Sequence, residues 1–273
     1  MRRLLIAFLL LFSAPLWAED GKEPFFSQFR DWYCIAGVPF NNPAGITGET
    51  IDVKFQFSVK FLPIRIGKQW NLYFGYTHKT VWNAFGESAP FHDNAYMPGI
   101  YFIRKFEKGD GLILGLEHMS NGRPYHGNPL AHEGYDDLSR GMNYVYALWS
   151  KPVGAAGRFF LQGKVGVGCG VGDYERHQNR YTQDLFVYYL GYLTAAYKLD
   201  REVFGLSASV TPIWNRSIAN VNAEGWVRFA KKWPKIMMQF HWGYDEAMCD
   251  CVPDKLPPCS LRVGLAYNVS DIF

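Results

Sequence analysis

The sequence predicts an all-β chain closed into a twelve-stranded antiparallel transmembrane β-barrel, and three observations carry that prediction. The first is a period-two alternation, clearest in Ile51 to Pro63, "IDVKFQFSVKFLP". Val53, Phe55, Phe57, Val59 and Phe61 fall on one face, and Asp52, Lys54, Gln56, Ser58 and Lys60 on the other. The second is an N-terminal export signal with no later apolar run long enough for a helix to cross a membrane, which takes about 20 residues. The third is the ending "SLRVGLAYNVSDIF", in which Leu261, Val263, Leu265, Tyr267, Val269 and Phe273 share a register and the last residue is aromatic. A sheet with one wet face, or a barrel polar inside and apolar outside, would each produce such alternation.

Taken in order, Arg2 and Arg3 form a basic start, Leu4 to Phe12 an apolar core, and Leu16-Trp17-Ala18 a cleavage site. Residues 1–18 therefore read as a signal peptide and 19–273 as one domain. Removing the two arginines lowers the formal net charge from +3 to about +1, so no basic surface argues for nucleic acid. Candidate strands follow at Trp32–Gly37, Ile51–Pro63, Trp70–Lys79, Tyr96–Arg104, Leu112–Ser120 and Asn143–Trp149. They continue at Arg158–Val167, Leu185–Tyr197, Val203–Ile213, Val221–Phe229, Ile236–Tyr244 and Leu261–Val269. The 21 Phe, 17 Tyr and 9 Trp suit aromatic girdles at two membrane interfaces. The connection Gly122–Gly141, rich in Gly, Pro, Asn and His, reads as a loop. With five cysteines at least one is unpaired, and the exported context permits a disulfide within Cys249, Cys251 and Cys259, its connectivity open.

The stretch "LILGLEHMSNGR" (112–123) carries chemistry. Leu112, Leu114, Leu116, His118 and Ser120 share one strand face, so an imidazole and a hydroxyl point the way the leucines point. In a soluble sandwich that face would be core and the two polar groups would only need partners. In a barrel they would face hydrocarbon. A serine beside a histidine on one face suits general-base activation of the hydroxyl for attack on an ester carbonyl. Asn121-Gly122-Arg123 ends the strand, and a glycine there lets backbone N–H groups turn toward a developing oxyanion. Antiparallel pairing would bring Asn143 beside His118, where its neutral amide oxygen can hold the second ring nitrogen without burying a charge near hydrocarbon.

These residues resemble the outer-membrane phospholipase A family of Gram-negative bacteria. The resemblance rests on His118-Met119-Ser120-Asn121-Gly122-Arg123, Ser139-Arg140 and Asn143. It extends to "DVKFQFSVKF" (52–61), "YTHKTVWNAF" (76–85), "SAPFHDNAY" (88–96) and the final "VSDIF". What it implies is a twelve-stranded barrel in the cell outer membrane, with its active site on the outer wall. The activity implied is a calcium-dependent, dimeric serine ester hydrolase that cleaves phospholipids and lysophospholipids at both the sn-1 and sn-2 positions. By position, Ser120 would be the nucleophile, His118 the base and acid, and Asn143 the residue orienting His118. The Gly122 N–H would belong to the oxyanion hole. Calcium would be held by the Arg123 carbonyl, the Ser139 hydroxyl and, from a second subunit, the Ser88 carbonyl.

Two departures stand out against that pattern. The loop between Arg123 and Ser139 is longer than the family form and contains His126, His132, Glu133, Asp136 and Asp137. It reads as a solvated loop, as an extra metal site on Asp136 and Asp137, or as a shield over the cleft. His78 stands where the family usually has a glutamine on the dimer-facing strand, which would make dimerisation sensitive to pH. A porin or adhesin barrel without catalysis, or a hydrolase acting on lipid A, would share the strands and differ in what Ser120 does.

Overall fold

A computed structural model describes residues 25–41, 51–67, 69–86, 88–106, 109–121, 141–154, 159–168, 192–200, 203–213, 218–230, 233–244, 246 and 257–267, with the side chains of 41, 62, 63, 192–200 and 218 excepted. The expected export segment 1–18 lies outside them, as do Val269, Phe273, Cys249 and Cys251. Thirteen strands follow one another: β1 (Phe26–Gln28), β2 (Trp32–Asn41), β3 (Asp52–Ile66), β4 (Trp70–Trp82), β5 (Phe91–Lys105), β6 (Gly111–Ser120), β7 (Gly141–Val153), β8 (Phe159–Gly168), β9 (Tyr192–Asp200), β10 (Phe204–Ile213), β11 (Ile218–Val227), β12 (Lys235–Trp242) and β13 (Cys259–Tyr267). Each of the twelve sequence-derived strands overlaps one of these, and residues 185–191 of the strand expected at Leu185–Tyr197 lie outside the described residues. The additional one is β1, three residues that share an edge of β3 with β2.

All pairings are antiparallel, and each strand from β2 to β13 pairs with its chain neighbour. Strand β13 then pairs with β2, so the sheet returns on itself and the twelve long strands form a ring. Connections are short at one end, as at 67–69, 106–110 and 154–158, and long at the other, as at 42–51, 121–140 and 243–258. The short turns require backbone that bends back at once, and Gly67 (φ 64°) and Gly154 (φ 83°) supply the left-handed conformation that a Cβ would resist.

Polarity is inverted relative to a soluble protein. Outward positions expose Val38, Phe102, Leu114, Leu116, Val145, Trp149, Val165, Leu206, Met238, Val263 and Leu265, whereas Asp52, Lys54, Ser58, Glu117, Gln239 and Arg262 are buried within the ring. That is the arrangement of a barrel whose wall faces hydrocarbon. The alternation of β3 thus resolves as polar in and apolar out.

Part of the interior is held by charge, beside a buried cluster that includes Phe29, Tyr101, Ile113 and Met142. Arg262 of β13 donates to both oxygens of Asp52 on β3, at 2.5 Å from Nε and 2.7 Å from Nη2. Its Nη1 reaches Glu246 Oε1 at 2.6 Å, and Lys54 Nζ reaches the same oxygen at 2.9 Å. Glu246, in the connection after β12, also accepts from Ser260 Oγ at 2.7 Å. Burial works against ionisation of its carboxyl, but Lys54 and Arg262 overcome that and hold it well below the usual carboxylate range.

Candidate active site

The site is built by the register of β6 on β7. Gly115 pairs with Tyr146, Leu116 with Val145, His118 with Asn143 and Ser120 with Gly141. Since faces alternate along a strand, Leu114 and Leu116, 41% and 46% exposed, set the outward direction and His118 and Ser120 follow it. Ile113, Glu117 and Met119 between them are buried inward. The leucine strip and the two polar residues therefore share the outer wall.

His118 Nδ1 lies 2.9 Å from Asn143 Oδ1. An amide oxygen only accepts, so Nδ1 carries a proton, and in the neutral ring Nε2 then has the lone pair that a base needs. Both residues are half-buried, which leaves the pair reachable from outside the wall. Ser120 is also half-buried, one full alternation beyond His118, with Tyr96 of β5 opposite it on one side and Gly141 on the other. Among the described residues the Ser120 hydroxyl is not hydrogen-bonded to His118. Sites without substrate commonly leave this contact open and close it when the ester binds.

Of the remaining expected site residues, Gly122, Arg123 and Ser139 lie outside the described residues, as does the loop bearing His126, His132, Glu133, Asp136 and Asp137. Ser88 is described. It stands exposed in the connection between β4 and β5, at the same end of the barrel as the 121–140 connection, with φ 58°, and Ala89 follows with φ 43°. Two consecutive non-glycine residues in the left-handed region are strained, and surrounding bonds hold them there: Trp82 Nε1 donates to the Ala89 carbonyl at 2.8 Å, and the Gly86 N–H to Asn83 Oδ1 at 2.9 Å.

His78 also faces outward. Its Nε2 is 2.8 Å from Thr80 Oγ1, which donates to Asn94 Oδ1 at 2.9 Å, so the imidazole N–H, the hydroxyl and the amide form a relay. The rings of Tyr96, Phe55 and Tyr76 lie around it, with centroids at 4.9, 6.0 and 6.4 Å. Tyr96 was not singled out by the sequence reading. Its signal was the spacing of two apolar-register strands, from which the opposition of Tyr96 and Ser120 follows only once the register of β5 on β6 is known.

The chain matches the family model described as phospholipase A1 over residues 38–251. Comparison with curated proteins finds no match. Among solved structures, outer membrane phospholipase A from Escherichia coli aligns with a TM-score of 0.71 at 20% identity, over 89% of this chain and 98% of that one. An active-site mutant of the same protein aligns at 0.73 and 20% identity, over 96% and 98%. The Salmonella typhi outer membrane phospholipase, solved as a dimer with bound calcium, aligns at 0.72 and 21% identity, over 94% and 96%. These likenesses agree with the barrel built above. A family model that covers well over half of the sequence, across β2 to the β12–β13 connection, places the chain in the phospholipase A1 family.

Proposed function

We propose that this protein is an outer-membrane phospholipase that hydrolyses acyl esters of phospholipids and lysophospholipids through Ser120, His118 and Asn143. The observation that carries the reading is the His118–Asn143 hydrogen bond, set beside the exposed Leu114 and Leu116 on the outer wall and one alternation from the Ser120 hydroxyl. Nothing in packing calls for an oriented imidazole there, whereas chemistry on a lipid does.

A phospholipid in the outer leaflet would lay its acyl chains along Leu112, Leu114 and Leu116 and bring its ester to Ser120. The hydroxyl attacks the carbonyl carbon as His118 Nε2 takes its proton, and Asn143 holds Nδ1–H so that the ring keeps this tautomer. The tetrahedral oxyanion would meet the Gly122 N–H. When the intermediate collapses, the C–O bond to the glycerol oxygen breaks and His118 returns the proton to that oxygen. Water, deprotonated by the same nitrogen, then frees the fatty acid from Ser120. An orienter without charge stabilises the imidazolium less than a carboxylate would, but it costs less to hold near hydrocarbon. A site on an open wall imposes little enclosure on the glycerol, so both sn-1 and sn-2 esters would be cleaved.

Calcium fits the oxygen-only donor set of the Arg123 carbonyl, the Ser139 hydroxyl and a second copy's Ser88 carbonyl, as a hard cation requires. The strained turn at Ser88 supports that assignment, because such backbone strain clusters at functional positions. Bound there, calcium would supply a Lewis acid near the oxyanion. A ligand set divided between two copies would make the active unit a homodimer. Residues 1–18 would export the chain.

The test is acyl release from mixed phospholipid–detergent micelles by the refolded wild type and Ser120→Ala, each with calcium and with excess chelator. The reading expects release that requires both Ser120 and calcium. A folded wild type that releases nothing but conducts ions would instead identify a porin, and release confined to lipid A would move the substrate class.

A further inference from the structure

The inner side of β6 and β7 holds a second arrangement that the proposed reaction does not use. One residue from the outward His118–Asn143 pair, Glu117 and Tyr144 face each other inside the barrel, and the Tyr144 hydroxyl donates to Glu117 Oε1. Glu117 is 1% exposed. Its other oxygen accepts from the Tyr101 hydroxyl at 2.5 Å and from Arg30 Nη2 at 2.5 Å.

Arg30 comes from a distant part of the chain. Strand β1 pairs with β3 as Gln28 to Val59, while β2 pairs as Tyr33 to Gln56. These two registers differ by two residues, so Phe29 to Asp31 bulge between them. Phe29 packs on the Tyr101 ring at 4.4 Å, and Arg30 extends across to Glu117 while its Nη1 donates to Thr77 Oγ1 at 3.3 Å. The bulge thereby ties β4 to β6 from within.

We propose that Glu117 is a positioning residue: its clasp with Tyr144, braced by Arg30, fixes how β6 lies against β7 at the level where His118 meets Asn143 on the outer wall. Glu117 and His118 share a peptide unit, as do Asn143 and Tyr144. Any slip or splay of the inner pair is therefore passed to the outer pair, and a misplacement of about 1 Å costs on the order of 10²-fold in rate. Turnover then depends on an N-terminal segment that never approaches the substrate. The inference rests on the reading of Ser120, His118 and Asn143 as the reacting groups.

The experiment compares Arg30→Lys, Arg30→Met, Glu117→Gln and the double variant Arg30→Met with Glu117→Gln. Asp52→Asn, which disturbs a buried ion pair elsewhere in the barrel, serves as the control. Each protein is refolded in detergent, its folded fraction is measured, and kcat and KM are determined per folded barrel well below the melting temperature. The expected result is kcat lowered roughly tenfold or more by Arg30→Met, by Glu117→Gln and by their combination alike, less by Arg30→Lys, with KM unchanged. Asp52→Asn should lower the melting temperature and leave kcat alone. Unchanged kcat in whichever Arg30 or Glu117 variant folds, the mild Arg30→Lys included, overturns the proposal and reduces the clasp to a stabilising contact. A wild type without Ser120-dependent acyl release would instead sink the underlying reading, and the two failures are told apart by the wild type alone.

Discussion

The two faces of β6 treat polar groups in opposite ways. Inside, Glu117 has donors on both oxygens, and across the lumen Asp52, Arg262, Glu246 and Lys54 form a connected set of ion pairs. Outside, among the described residues of β6 and β7, the polar site amounts to one hydrogen bond between His118 and Asn143 and a serine hydroxyl left open. Buried polar groups need full pairing because an orphaned charge in low dielectric is expensive, so the inner network is what a stable barrel requires. A sparsely bonded imidazole and hydroxyl on an apolar wall add nothing to that. The difference separates the part of the molecule that holds shape from the part proposed to act on a substrate.

That separation can be broken from either side. His118→Ala should lower acyl release on the order of 10⁴-fold while the melting temperature moves little, because it removes the proposed base and one hydrogen bond, to Asn143. Parallel loss of folding and activity would erase the distinction. On the inner side, Arg262→Met strands the Asp52 and Glu246 carboxylates and should cost about 3–5 kcal/mol of stability, read by thermal unfolding in detergent. Acyl release per folded barrel should then match the wild type. Asn143→Ala should lie between these in its effect on rate, about 10²-fold below wild type, because it frees the ring without removing it; a rate equal to wild type would take Asn143 out of the site.

A smaller effect depends on protons. Because Lys54 and Arg262 hold the Glu246 carboxyl below its unfolded value, its contribution is present above the unfolded carboxylate pKa of about 4.3 and is lost as pH falls through the folded one. Glu246→Gln should therefore be less stable at neutral pH and show a flatter acid limb, as followed by unfolding midpoints between pH 7 and 3.

Much of this architecture can be read from the chain before any coordinates, because a barrel that is polar inside and apolar outside prints its pleat directly on the sequence. Strand β3 shows it best, with Asp52, Lys54 and Ser58 buried as the alternation requires. The start of β5 does not show it. Phe91 to Ala95 puts His92 and Asn94 on one face and Asp93 and Ala95 on the other, so the faces lack hydrophobic contrast and the reading began only at Tyr96. Likewise β7 begins at Gly141 rather than Asn143, since a glycine carries no face. Strand β1 was missed because three residues hold too little periodicity to register.

The placement of His118, Ser120 and Asn143 was legible to the same degree as their strands. His118 and Ser120 follow from alternation on β6, and Asn143 from one antiparallel turn of the ladder. The clasp behind them was not legible, because Arg30 reaches Glu117 from a bulge whose position depends on two different registers against β3. No local pattern encodes a contact between residues so far apart in the chain.

The most direct test of the central claim is covalent. Refolded protein in mixed micelles would be treated with a long-chain fluorophosphonate, and the modified residue located by mass spectrometry in the wild type and in His118→Ala. The expected result is a single adduct on Ser120, formed with concurrent loss of acyl release and strongly slowed when His118 is removed. An adduct on another serine, or full hydrolysis with Ser120 unmodified, would contradict it.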